Sequence, residues 1–352
     1  MTHRFAPRPS YLPGSAGRLF VSYTAPDGPA RAAVLCVPPF GEEMNRTRSL
    51  MAAQAREFAH LGYACLVLDL YGTGDSEGDL PEASWETWCN DVKVAADWLE
   101  QKAGCPVMLW GIRLGCLLAA EVANSQPERF DRLLFWQPVA SGKSYVTQVL
   151  RLRVGALVDR NEPPETTADM RARLESGASV EVSGYLLPGA LTMALDTRDL
   201  TQYEHWVDKA IDWLECVAEQ GKTLPGASRK AVEALESSGA QVNVLCAVAP
   251  PVWTLHKPAD ATALLSATSG LFAQGVPADE RRRSRRHLRL PWRDPGRHRP
   301  CARETHLARP AVRAGRRPPV PHRVLQATGV AGTTARVDRD AGDAFRLPQH
   351  GR

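Results

Sequence analysis

Four short apolar runs, separated by stretches of helical periodicity, constrain this chain more than any other feature. Ala32 to Val37 (AAVLCV), Ala64 to Leu70 (ACLVLDL), Cys105 to Trp110 (CPVMLW) and Arg132 to Trp136 (RLLFW) are each nearly continuous in apolar residues. A strand buried on both faces reads this way, whereas a strand with one wet face alternates. Between the runs, Thr47 to His60, Ser84 to Gln101 and Leu114 to Asn124 carry apolar residues at helical spacing, with Ser84 placed to cap its helix and Gly62 to end the one before. Such strand–helix–strand units need crossovers, hence a mainly parallel, doubly wound α/β sheet with helices on both faces. Ligands of these sheets bind beyond the carboxyl ends of the strands, so the segments after Val37, Leu68, Trp110 and Trp136 are the ones to inspect.

The remaining chain extends this pattern. Leu19 to Thr24 alternates and reads as a first, edge-type strand, preceded by a flexible leader over residues 1–14 that contains Pro7, Pro9 and Pro13. From Ser141 to about Ser183 the sequence turns helical and polar, which predicts a cap inserted over the sheet at about 141–183. A helix-like stretch near Gly184 to Leu195, a strand over Ile211 to Val217, a helix over Ser228 to Ser238, a strand over Gln241 to Val248 and a helix over Ala259 to Phe272 complete a domain spanning residues 15–275.

The run Trp110-Gly111-Ile112-Arg113-Leu114-Gly115-Cys116 joins the third buried strand to its helix. A sharp bend there requires glycines two positions either side of its apex, because side chains at those points would strike neighbouring backbone. In α/β-hydrolases the apex is a Ser, Cys or Asp nucleophile, and the next backbone N–H forms half of an oxyanion hole. Here the apex is Arg113, a permanent cation without nucleophilic character. Two more segments fit the same fold. Asp69 to Gly78 (DLYGTGDSEG) resembles the D-x-x-G-x-G-x-S-x-G turn of α/β-hydrolases, and Val37 to Arg46 (VPPFGEEMNR) stands where the oxyanion loop belongs. Backbone N–H groups of Phe40, Gly41 and Leu114 are the candidates for an anion hole.

The stretches PPFGEEMNRTR, DLYGTGDSEGD, WGIRLGCLLA, FWQPVASGKSYVTQVLRLR and APPVWTLHKPADATALL together resemble the exosortase A system-associated hydrolase 2 family of bacteria. The resemblance covers about residues 15–275 and includes the arginine at the bend, as is usual in that family. It implies an α/β-hydrolase fold, and a setting of exopolysaccharide production and exosortase-dependent protein sorting, with proteins of those systems as partners. The activity expected of the α/β-hydrolase class is that of an ester, thioester or amide hydrolase or acyltransferase acting on a small-molecule or acyl substrate. The alternative is a catalytically silent fold used for binding or as a scaffold.

An acid of a catalytic triad is expected after the Ile211–Val217 strand, where Glu215 is available, and a base after Gln241–Val248, where His256 is the nearest histidine. Neither stands in a convincing turn motif, and the plainer expectation is a solvated Glu215 and a surface or hydrogen-bonded His256. Cys116 reads as a core thiol facing the sheet, and Ser76 and Ser141 as turn residues. A guanidinium at the bend is costly without a carboxylate partner, which predicts an Arg113 pair with Glu42 or Glu43 from the neighbouring loop.

Composition narrows the class. Apolar residues at 44% and charged residues at 23% exclude disorder of the whole chain. No run approaches a bilayer span and the N-terminus lacks an apolar signal segment, which reads as a cytoplasmic protein. The eight cysteines show no paired C-x-x-C spacing, and nothing points to a metal or a cofactor. The net charge of +4 conceals a division: residues 276–352 hold nineteen Arg, no Lys and seven acids. Arg clusters can bind nucleic acid, yet Trp292 and Phe345 are the only aromatic residues there for base stacking, so nucleic acid is not the expected partner. This Arg/Pro-rich tail is expected to be disordered, with the character of GC-rich coding sequence read out of frame.

Overall fold

The computed structural model describes residues 5–255, 257 and 259–273. The tail beyond residue 275 and His256 lie outside the described residues. Strands β1 (Arg8–Pro13), β2 (Arg18–Thr24), β3 (Ala33–Val37), β4 (Ala64–Leu68), β5 (Val107–Ile112), β6 (Arg132–Trp136), β9 (Ala210–Val217) and β10 (Gln241–Val248) form one eight-stranded sheet in the order β1-β2-β4-β3-β5-β6-β9-β10. β1 and β2 join antiparallel, and from β4 to β10 every pairing is parallel. This is the α/β-hydrolase fold.

The apolar runs became its centre. All five residues of β3 and all six of β5 are buried, as a strand covered on both faces requires. One face packs against helices α2 (Trp85–Ala103) and α3 (Leu114–Ser125). The other packs against α1 (Glu42–His60) and α7 (Thr262–Ala273), where Phe58, Tyr63, Trp110, Trp136 and Phe272 meet edge to face. α2 illustrates how sequence sets the limits of an element. Ser84 Oγ accepts the Thr87 N–H at its start, Gly104 ends it in a left-handed conformation, and Trp85, Trp88, Val92, Ala95, Ala96 and Leu99 form its buried stripe.

Several expectations need correction. Residues 8–13, read as part of a flexible leader, form β1; its lone buried residue, Leu12, and its ladder to β2 hold it in place. β2 is therefore interior to the sheet and not an edge. α1 begins at Glu42 instead of Thr47, so Glu42 and Glu43 belong to its first turn, where acids favour the helix dipole. The insertion between β6 and β9 starts with α4 (Gly142–Asp159) and α5 (Thr167–Glu175) but continues past Ser183. The stretch read as a helix from Gly184 opens as a hairpin of β7 (Ser179–Val182) and β8 (Tyr185–Pro188), and only Gly189–Asp196 is helical (α6). No helix among the described residues is long and apolar enough to cross a membrane.

Candidate functional site

The site is assembled where β3, β5 and β6 end and the helices α1 and α3 begin. Between β5 and α3 the chain turns on Arg113, whose φ of 54° and ψ of −118° are rarely adopted by a residue with a side chain. Its flanking glycines explain how the turn closes. A Cβ on Gly111 would stand 2.5 Å from Cys116 Cα, and one on Gly115 would collide with the Val37 carbonyl. Three main-chain bonds secure the bend: Arg113 N–H to Trp136 O at 3.0 Å, Cys116 N–H to Arg113 O at 3.0 Å and Val139 N–H to Arg113 O at 3.3 Å.

The Arg113 side chain is mostly covered, and it has found the partner its charge requires. Nε donates to Glu43 Oε1 at 3.2 Å, and Nη1 donates to Gln137 O at 3.3 Å. Glu43 Oε2 accepts the Tyr145 hydroxyl at 3.2 Å. The guanidinium carbon lies 5.4 Å from the Trp253 ring centroid and 6.0 Å from that of Tyr145, within cation–π range. Burial raises the Glu43 carboxyl above its ordinary value, with Arg113 and then Tyr145 opposing the rise. Burial and the nearby Glu43 charge hold the Tyr145 phenol well above its usual range, so it stays protonated as a donor. Glu42, the other expected partner, turns instead to Arg46 at 3.3 Å.

Phe40 is buried against Trp88, with ring centroids 5.8 Å apart, and Gly41 precedes α1 at φ 57° beneath the Tyr185 ring of the hairpin. Leu114 is the first residue of α3. The opening N–H groups of a helix have no intrahelical acceptor, so α1 and α3 both direct donors at this edge of the sheet.

Glu215 is placed otherwise than expected. It lies within β9, nearly inaccessible, and accepts from Trp213 Nε1 at 2.9 Å, Gln137 Nε2 at 2.9 Å and Ser228 Oγ at 3.2 Å. Burial raises its carboxyl above the ordinary value, and the Trp213 and Ser228 bonds oppose the rise. It is thus a buried, hydrogen-bonded carboxyl instead of a solvated one. Cys116 is fully buried, its thiol pushed well up by desolvation and its Sγ 3.7 Å from Trp136 O. Ser76 is a turn residue: its hydroxyl donates to Asp69 O and accepts from Phe20 N–H. Ser141 immediately precedes α4. Among the described residues no cluster of His, Cys, Asp and Glu is arranged to hold a metal.

Three contributors escaped the sequence reading: Gln137, Tyr145 and Trp253. Gln137 joins Arg113 to the β9 end, because its carbonyl accepts from Arg113 while its side chain donates to Glu215 and accepts the Cys216 N–H at 2.7 Å. Its φ of 44° marks it as strained. Beside it a cleft of about 640 Å³ opens over the ends of β9 and β10, lined by Gln137, Cys216, Val217, Val248, Pro250 and Trp253 among others.

Comparison with known proteins agrees with this architecture. Residues 28–212, more than half of the chain, match the family described as "Serine aminopeptidase, S33". Mitochondrial palmitoyl-protein thioesterase ABHD10 of Pongo abelii is 31% identical over 137 residues, which span 36% of this chain and 43% of that relative. The chain thus matches less than half the length of its curated relatives. Among solved structures, Est1E from Butyrivibrio proteoclasticus with bound ferulic acid superposes with a TM-score of 0.55 at 13% identity, over 75% of this chain and 96% of that one. Alpha/beta hydrolase domain-containing protein 10 from mouse gives 0.50 at 18% identity, over 76% and 99%. At these identities the superpositions speak for the fold alone, and it is the match over residues 28–212 that makes the chain a member of the serine aminopeptidase S33 family of α/β-hydrolases.

Proposed function

We propose that the bend at Arg113 is the point where hydrolases of this fold carry their nucleophile, and that this protein binds an acyl-type ligand without forming an acyl-enzyme. One observation carries the reading: the apex side chain is a cation tied to Glu43 and Gln137 O, with nothing at the apex able to attack a carbonyl. Supporting it, Cys116 is buried as a neutral thiol, and Glu215 already accepts three hydrogen bonds. Phe40, Gly41 and Leu114 would then supply main-chain donors to a bound carbonyl or oxyanion, with Glu42 and Glu43 setting the charge around it. On this reading the protein works in the cytoplasm, and the resemblance to exosortase A system-associated proteins supports exopolysaccharide and sorting proteins as its partners.

A second reading is an ester, thioester or amide hydrolase or acyltransferase, with Glu215 and His256 as acid and base. Family membership and a thioesterase among the relatives favour it. Turnover separates the two. The full chain, offered a panel of acyl esters and acyl thioesters, is expected to release product no faster than buffer. Saturable turnover above the buffer rate would overturn the binding reading.

A further inference from the structure

Arg113 and the cleft over the ends of β9 and β10 share two walls. Gln137, whose carbonyl accepts from Arg113 Nη1, lines the cleft, and so does Trp253, whose ring lies 5.4 Å from the guanidinium. Elsewhere the lining is largely apolar, including Val217, Val248 and Pro250. The volume, about 640 Å³, falls in the range of small-molecule sites. The two hydrogen bonds of the guanidinium use Nε and one Nη1 proton. Of the five N–H groups of an arginine, the second Nη1 proton and both on Nη2 have no hydrogen-bond acceptor among the described residues. Nη2, with both of its protons unspent, is the nitrogen on which the arginine can still hold an oxyanion by charge-assisted bonds.

We infer that this cleft binds an amphipathic anion, its oxyanion head on Nη2 of Arg113 and its apolar body against Val217, Val248 and Trp253. Glu43 does not exclude such a head, because its contact is with Nε and not with Nη2. The opening turns of α1 and α3 add positive potential at the same place, which offsets the second negative charge. A neutral body of equal length would gain the apolar contacts but not the charge-assisted bonds to Arg113. The assignment rests on the binding reading above, since it names the ligand class of that same site.

The test is calorimetric titration of the full chain with decanoate, decyl phosphate and decanol, each below its aggregation limit. At least one anion is expected to bind tenfold or more tightly than decanol, and the ratio of the two anions identifies the headgroup. Arg113→Gln should bring anion and alcohol within about twofold of each other. Val248→Trp changes a residue 47% exposed at the end of β10, and with a melting temperature equal to the parent's it should weaken acid and alcohol alike by at least fivefold. Equal affinity of anions and alcohol for the unaltered protein overturns the inference, as does an unchanged preference in Arg113→Gln or no saturable binding at all. Ester turnover by the same preparation would sink the binding reading while leaving the anion preference standing, so the two failures are distinguishable.

Discussion

Arg113 is the residue on which the site depends, and its energetics are those of a covered ion pair. The side chains of Arg113 and Glu43 keep only 13% and 17% of their area exposed. Removing one partner leaves the other charge desolvated, which costs on the order of 3 kcal/mol, whereas replacing both by apolar groups is close to neutral. Glu43→Gln is therefore expected to lower stability by about 3 kcal/mol in urea denaturation, and Arg113→Met with Glu43→Leu to recover most of the loss. A double variant that loses as much as Arg113→Met and Glu43→Leu summed would mean that the pair contributes nothing. Asp91 supplies a second prediction at this scale. One of its carboxylate oxygens accepts the Tyr71 N–H at 2.9 Å, the other is buried without a partner, and desolvation pushes its carboxyl up to about 6 from 3.8. The native state thus keeps the proton to higher pH than the unfolded chain does. Its contribution to stability is complete below about pH 4 and lost as pH rises through 6, a change of roughly 3 kcal/mol. Asp91→Asn should flatten the fall in melting temperature between pH 4 and 7; an unchanged slope would count against a protonated Asp91.

At the scale of elements, Gly115 and Gly155 make opposite predictions. Gly115→Ala drives a methyl into the Val37 carbonyl, a rigid backbone atom, and should cost about 2–3 kcal/mol by thermal or urea unfolding. Gly155, in the middle of α4 with open space around it, should gain roughly 0.5–1 kcal/mol as Ala through helix propensity. A Gly115→Ala protein as stable as the parent would show that the bend is not this tight. The same elements explain which parts of the fold were legible. Strands 132–136 and 241–248 matched their expected limits because apolar runs and turn residues coincide at their ends. β1 was invisible because Pro9 and Pro13 mimic loop composition and its burial does not alternate. The β7–β8 hairpin did leave a signal, since Ser183 and Gly184 both have positive φ, the requirement of a two-residue type I′ turn. The helical pattern that follows hid it. The Arg113–Glu43 pair was legible from charge cost alone, but Tyr145 and Trp253 were not. They reach the site from the insertion and from beyond β10, and sequence spacing carries no trace of such long-range packing.

For the molecule as a whole, the parallel sheet does what its topology dictates, collecting the bend, the loop after β3 and the strained Gln137 at one edge while insertion and hairpin approach over them. The acidic residues 1–275 and the Arg-rich residues 276–352 remain unlike in charge, and the latter lie outside the described residues. What distinguishes this member of its family is the proposed replacement of a nucleophile by a cation that grips. The most direct measurement is intact-mass analysis of the full chain after incubation with a fluorophosphonate and, separately, with a long-chain acyl thioester. No covalent adduct is expected with either reagent; a stoichiometric mass increase, mapped by peptide analysis to a side chain within the site, would contradict a cation in place of the nucleophile.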